Sequence, residues 1–206
     1  VTGLVTEEAS KATGLPVGCK VVAGAFDIDA SAIAMDITNE DYLAIIGGTR
    51  SINEFISKDF KTKNWTTKNS LYCIDGYVLI EESSPTSASN LEWFLNTLIE
   101  NYSPDKYDQV NEKVKNAEID LNGPIFLPYI YGSNYSEKSK ASIIGMDSST
   151  KNEDIYRAIF EGIAFCHKVH IEKLLDVKDD FKAFRLTGGI SNSKVWLQIF
   201  ADVLNK

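Results

Sequence analysis

Residues 152–176, NEDIYRAIFEGIAFCHKVHIEKLLD, repeat apolar side chains at helical spacing over about seven turns. No other stretch of the chain constrains the fold as tightly. Ile155, Ile159, Ile163, Val169, Ile171 and Leu174 supply much of a buried side, and Asn152 stands where an N-cap is expected. A helix with one apolar side must cover another apolar surface. After it come KAFRLT, Gly188-Gly189 and a last periodic run with no terminator, which reads as strand, turn and helix.

Upstream, TEEASKAT (6–13) reads as a helix closed by the turn Gly14-Leu15-Pro16. KVVAGAF (20–26) reads as a buried strand, with Asp27 opening the helix IDASAIAMDI behind it. YLAIIGG and SINEFIS read as strands joined by Gly-Gly-Thr-Arg. SLYCIDGYVLIEES is a hairpin whose Asp75-Gly76 pair predicts a type I′ turn. SASNLEWFLNTLIENY places Leu91, Leu95, Leu98 and Phe94 at helical spacing, and DKYDQVNEKVKNA is a more polar helix. PIFLPYIYG reads as a strand entering a loop, and ASIIG as another strand. There is no internal repeat. The order predicts an α/β domain, a mixed sheet flanked by helices, with ligands gathering where strands hand over to loops.

A net charge of −8 over 206 residues argues against a nucleic-acid or anionic-membrane partner, because phosphate neutralisation needs clustered Lys and Arg. It leaves room for one small anion held by backbone N–H groups. Cys19, Cys73 and Cys166 are an odd number without a C-x-x-C pair, which fits reduced thiols in a cytoplasmic protein and neither a disulfide frame nor a zinc site. No apolar run is long enough to span a bilayer, and the first residues do not form a signal peptide. The absence of an initiator Met points to a piece of something longer.

Three handovers carry residues suited to chemistry. Gly47-Gly48-Thr49 offers adjacent N–H groups and a hydroxyl to a phosphate, or is an ordinary hairpin turn. Gly188-Gly189 leads into a helix start that favours anions or polar ligand edges, or is glycine for packing. Asp27 is placed to take a proton from a hydroxyl attacking phosphorus, or to cap its helix. Asp29 and Asp36 read as solvated. His167 and His170 lie three apart without a third ligand, so helix surface and core edge is the reading and no metal is assigned. Trp65, Trp93 and Trp196 read as packing residues.

Taken in order, GLPVGCKVVAGAFDIDASAIAMD, IIGGTR, FLPYIYGSN, RAIFEGIAF and LTGGISNSKVWLQIFADVL resemble the carboxyl-terminal half of an FGGY-family carbohydrate kinase. EESSPTSASNLEWF and LPYIYGSN resemble its L-xylulose kinase branch. The resemblance implies an actin-like (ribonuclease-H-like) domain, the second of two flanking a cleft, that uses ATP with Mg2+ to phosphorylate a ketose such as L-xylulose. It implies Asp27 as catalytic base and sugar contact, Gly48 and Thr49 at the ATP phosphates, and Gly132 on a loop near the nucleotide. Gly188, Gly189 and Ser193 would hold the adenosine portion.

It further implies that residues 1–206 are truncated at both ends, with 1–15 as an interdomain linker or helix. The missing amino-terminal domain would be an obligatory partner, and a homodimer is left open. Such a fragment is expected to be inactive alone. Ile190 beside the adenine site, Arg50 after Thr49, and Ile28 after Asp27 depart from the common pattern. Ile28 speaks against glycerol as substrate. A non-catalytic actin-like regulator is the alternative, disfavoured by Asp27. A nuclease is disfavoured by the charge and the lack of a carboxylate cluster.

Overall fold

The computed structural model describes residues 1–63, 67–99 and 105–206. In chain order the elements are β1 (Gly3–Leu4), α1 (Glu7–Thr13), β2 (Lys20–Val21), α2 (Asp27–Ala34), β3 (Tyr42–Gly47), β4 (Ser51–Ser57), β5 (Lys68–Leu71) and β6 (Val78–Ser84). Then follow α3 (Ser89–Leu98), α4 (Lys106–Asn116), β7 (Ile125–Leu127), β8 (Ser142–Ile144), α5 (Asn152–Leu175), β9 (Ala183–Thr187), a 3-10 turn (Gly189–Asn192) and α6 (Lys194–Leu204). The central sheet has the order β5-β6-β4-β3-β9. β3 runs parallel to β9 and the other neighbours are antiparallel, so the sheet is mixed as the element order predicts.

Side chains alternate across this sheet. On one side α5 packs Ile159, Phe160, Ile163, Ile171 and Leu174 against Leu43, Ile45, Phe55 and Ile80. Each such side chain contributes about 1.5–3 kcal/mol when taken fully out of water. α5 passes so close to β7 that a Cβ on Gly162 would lie 2.3 Å from the Phe126 carbonyl oxygen. On the other side α2 covers only part of the sheet, where Ala32 and Ile37 bury against Ala44, Ile56, Tyr72 and Leu79.

KVVAGAF is not a buried strand. Only Lys20 and Val21 pair, with Gly3 and Leu4, and Val22 is 66% exposed. Its apolar residues have no second layer over them among the described residues. Burial depends on such cover and is not carried by the run itself. Asn152 is the first residue of α5 and not its cap. Lys151 takes the cap position, and the Asp154 carboxylate accepts the Lys151 N–H at 2.8 Å. A carboxylate three residues on reaches back to the start of the helix, which Asn152 does not do.

The Asp75-Gly76 turn is not type I′, since only Gly76 has a positive φ (80°). Six residues separate the paired Leu71 and Val78, and this wider loop closes with Tyr77 N–H donating to the Ile74 carbonyl at 3.2 Å. Leu98 and Val169 face outward. The last helix does have a terminator, because Asn205 adopts the left-handed conformation (φ 54°) after Leu204. Trp65 and residues 100–102 of the third predicted helix lie outside the described residues. Trp196 is a packing residue, buried and stacked on Phe160 with ring centroids 4.0 Å apart, and Trp93 packs half-buried against the same core.

Candidate active site

The turn between β3 and β4, Gly48–Arg50, stands between two cavities. The first holds about 450 Å³. Gly48 and Thr49 form one wall, Tyr107 and Asn111 of α4 another, and Gly189, Ser193 and Trp196 a third. The turn is gripped from behind by the segment before α3. Ala88 N–H donates to the Gly48 carbonyl at 3.0 Å, and Ser89 Oγ to the Thr49 carbonyl at 2.8 Å. Both carbonyls are thus engaged by protein, and what these two residues offer a ligand is their donor side.

Gly188 has φ 93°, and a Cβ on it would fall 2.6 Å from the Gly47 carbonyl oxygen. Only glycine allows the exit of β9 to pass against the end of β3 in this conformation. Ser193 is the N-cap of α6. Its hydroxyl accepts from Trp196 N–H at 3.1 Å and donates to Asn111 Oδ1 at 2.7 Å, so its proton is spent inside the protein. Ile190 does not border this cavity. It is fully buried, with Cδ1 2.5 Å from where a Gly47 Cβ would sit, and so fills the space under β3.

The structure does not bring Gly132 to either cavity wall. Its loop is tied to the gripping segment instead: Ile130 N–H donates to Asn90 Oδ1 at 3.3 Å, and Thr86 Oγ donates to the Pro128 carbonyl.

The second cavity is a wide groove of about 1250 Å³ over the part of the sheet that α2 leaves open. Asp27, Ile28, Asp29, Arg50, Lys68 and Glu81 are among its walls. Asp27 is the first residue of α2, while Phe26 holds the cap backbone, so the carboxylate stands at a helix start and not at the end of a strand. It is exposed to the groove, and Oδ1 accepts the Ile28 N–H at 2.9 Å. Lys68 Nζ lies 3.1 Å from Glu81 and 2.8 Å from Ser83 Oγ.

Asp29 is not solvated. It is buried, its Oδ1 has no partner, and burial raises its pKa. Glu54 of β4 is fully buried with both carboxyl oxygens unpartnered. Burial first, then the charges of Glu81 and Asp29, push its pKa up to about 9. Asp36 is exposed as expected and pairs with Arg185 at 3.1 Å.

The two histidines are not at a helix surface. Both are buried by the strands beneath α5: His167 meets Asn53, Ser51 and Ser87, and His170 meets Glu82. Among the described residues no group of three or more His, Cys, Asp or Glu is placed to hold a metal. The three cysteines are free. No described helix is long and apolar enough to cross a membrane. The grip by Ala88 and Ser89, the Asn111 contact and the polar partners of His167 were not read from the sequence. The small polar run SSPTSASN was the available signal.

Comparison with known proteins agrees with this architecture. The chain is 30% identical over 204 residues to the L-xylulose/3-keto-L-gulonate kinase of Escherichia coli, covering 98% of this chain and 40% of that protein. It is 32% identical over 203 residues to a probable L-xylulose kinase of Pasteurella multocida, with 98% and 41% covered. Among solved structures, xylulose kinase from Rhodospirillum rubrum superposes with a TM-score of 0.89 at 26% identity, over 100% of this chain and 42% of the other. Plasmodium falciparum glycerol kinase with ADP superposes at 0.80, and at 23% identity this speaks for the fold alone. The chain therefore spans about two fifths of the length of these relatives. The fold is the actin-like, ribonuclease-H-like one of these kinases, with its mixed sheet flanked by helices. Residues 43–206 match the carboxyl-terminal domain of the FGGY family of carbohydrate kinases, and the chain belongs to that family.

Proposed function

We propose that this chain is the nucleotide-side domain of a longer MgATP-dependent ketose kinase acting on L-xylulose or a related keto-sugar. The observation that carries the reading is the position of one turn. Gly48 and Thr49 border the first cavity, and Arg50 borders the groove of Asp27. A phosphoryl group on the donor side of that turn would lie between a nucleotide in the first cavity and a hydroxyl in the groove. Phosphoryl transfer asks mainly for such positioning and for charge stabilisation.

In this reading Asp27 takes the proton of the sugar hydroxyl as its oxygen attacks phosphorus. Gly189 and the start of α6 receive the adenosine portion, and Gly188 keeps that corner in place. The donor set fits a nucleotide: glycine backbone, one hydroxyl and an aromatic wall. Mg2+ would arrive on the nucleotide phosphates, since such sites take one or two carboxylates and substrate oxygens without a protein cage. The metal supplies charge neutralisation at the phosphates.

Residues 1–15 serve as the connection to the amino-terminal domain, and the whole of 1–206 as the carboxyl-terminal one. The exposed Val17, Val22 and Phe26 support this, as apolar surface that a second domain would cover, and Phe26 borders the groove. The 206-residue chain alone is then inactive towards sugars, and a cytoplasmic setting follows from ATP as phosphoryl donor.

The test is ADP release from MgATP by the full-length protein across a panel of ketoses and polyols. Release with L-xylulose or a related keto-sugar, and not with glycerol, is expected. Nucleotide binding with no acceptor in the panel would replace this reading with a regulatory one.

A further inference from the structure

The imidazole of His167 is wired to both sides of the β3–β4 turn. Its Nδ1 lies 2.8 Å from Asn53 Oδ1 and 3.3 Å from Ser51 Oγ, and its Nε2 lies 2.9 Å from Ser87 Oγ. Asn53 Nδ2 donates to Ser51 Oγ at 3.2 Å and to the Glu82 carbonyl at 3.3 Å. Its Oδ1 is therefore the acceptor facing the ring. That assigns the proton to His167 Nδ1 and leaves Nε2 to accept from the Ser87 hydroxyl. All four side chains are at most 1% exposed. The ring also meets Phe200 of α6 edge-on, with centroids 5.2 Å apart, which fixes its plane.

The sequence positions of the two serines give this arrangement its meaning. Ser51 is the first residue after the turn and pairs with Gly47 across the hairpin. Ser87 directly precedes Ala88 and Ser89, which hold the Gly48 and Thr49 carbonyls. One ring thus registers the exit of the turn against the segment that grips it. Burial, with His170 nearby, lowers the pKa of His167 to about 3, which keeps the ring neutral and both nitrogens in their assigned roles. His170 is engaged separately, its Nδ1 3.3 Å from Glu82 Oε2.

We propose that His167 is a positioning residue: through Ser51 and Ser87 it sets the geometry in which Gly48 and Thr49 present their donors to a phosphate. The inference rests on reading that turn as the phosphate-binding segment. A polar residue that merely fills a core site would have no reason to bond both flanks of one functional turn.

The test uses the full-length protein with three readouts. The 15N spectrum of the His167 ring is expected to show the neutral Nδ1–H tautomer, and an Nε2–H tautomer or a cation near neutral pH would overturn the wiring. Ser87→Ala and His167→Gln are expected to speed amide exchange at Ala88, and to raise the MgATP dissociation constant, by about tenfold each, the scale of one lost hydrogen bond. Exchange in the distant α1 should not change. Ser87→Ala deletes a single oxygen and carries the test if His167→Gln does not fold. Unchanged Ala88 exchange and unchanged MgATP affinity, with only a lower melting temperature, would reduce His167 to a core residue. A wild-type protein that binds no MgATP would end the kinase reading, and Ala88 exchange would still decide whether His167 positions the turn.

Discussion

The Gly47 carbonyl oxygen occupies the place where a side chain on Gly188 would begin, 2.6 Å from the ideal Cβ position. The ends of the parallel pair β3 and β9 are thereby pressed together, so the Gly47–Thr49 turn, proposed to meet phosphate, and the Gly188–Gly189 corner, proposed to meet adenosine, share one contact.

Gly188→Ala should therefore cost stability twice, through a φ of 93° and through a clash with the Gly47 backbone. Strained backbone of this kind costs about 1–3 kcal/mol before the clash is counted. Thermal unfolding should show the loss, and nucleotide titration of whatever folds should show weaker binding. An alanine variant with wild-type stability would mean that the β9 exit is not held as described.

Ser193→Ala removes the cap of α6 and the bond to Asn111 together. Losing such a cap costs about 1 kcal/mol. For a chain of this size that is a fall of about 2–4 °C in melting temperature. Calorimetry on the purified chain checks it, and Ser193→Asp, which restores a capping acceptor, should recover part of the loss.

These two glycine and serine sites show what the sequence made legible and what it did not. A strand followed by Gly-Gly announces a close turn leading to a helix start, because few other residues tolerate that backbone demand, whereas the capping role of Ser193 was not read. α5 was legible because its apolar spacing extends over many turns. Polar partners across layers were not. Asn53 stands beside Glu54, and Glu82 between Glu81 and Ser83, so these short polar runs look like exposed positions, and nothing local says that His167 and His170 will be placed over them. KVVAGAF failed for the converse reason, since an apolar run is buried only if another element covers it. Asp29 was misread because Asp27, two residues earlier on the same helix, takes the exposed position and turns Asp29 inward.

Glu54 makes stability fall with rising pH. Unfolded, a glutamate releases its proton near 4.5, whereas in the fold this one holds it to about 9. Between those values the folded state binds the extra proton, so its contribution is complete below about pH 4.5 and is lost as pH rises towards 9. The slope from one such group approaches about 1.4 kcal/mol per pH unit. Burial acts on Asp29 with the same sign. Denaturant melts of wild type and Glu54→Gln between pH 5 and 8 should show a steeper decline in the wild type. Parallel curves would contradict the burial of an unpartnered carboxyl at this position.

The most direct test of the central claim is Asp27→Asn in the full-length protein. Asp27 is exposed to the groove, and its carboxylate accepts a hydrogen bond from the neighbouring Ile28 N–H, so the variant should fold and bind MgATP as the wild type does. Sugar-dependent ADP release should fall by about 10²–10⁴, the range for loss of a positioned general base. Turnover at the wild-type rate, with the same sugar and the same nucleotide affinity, would show that Asp27 is not the base and that the groove it lines is not where the sugar is phosphorylated.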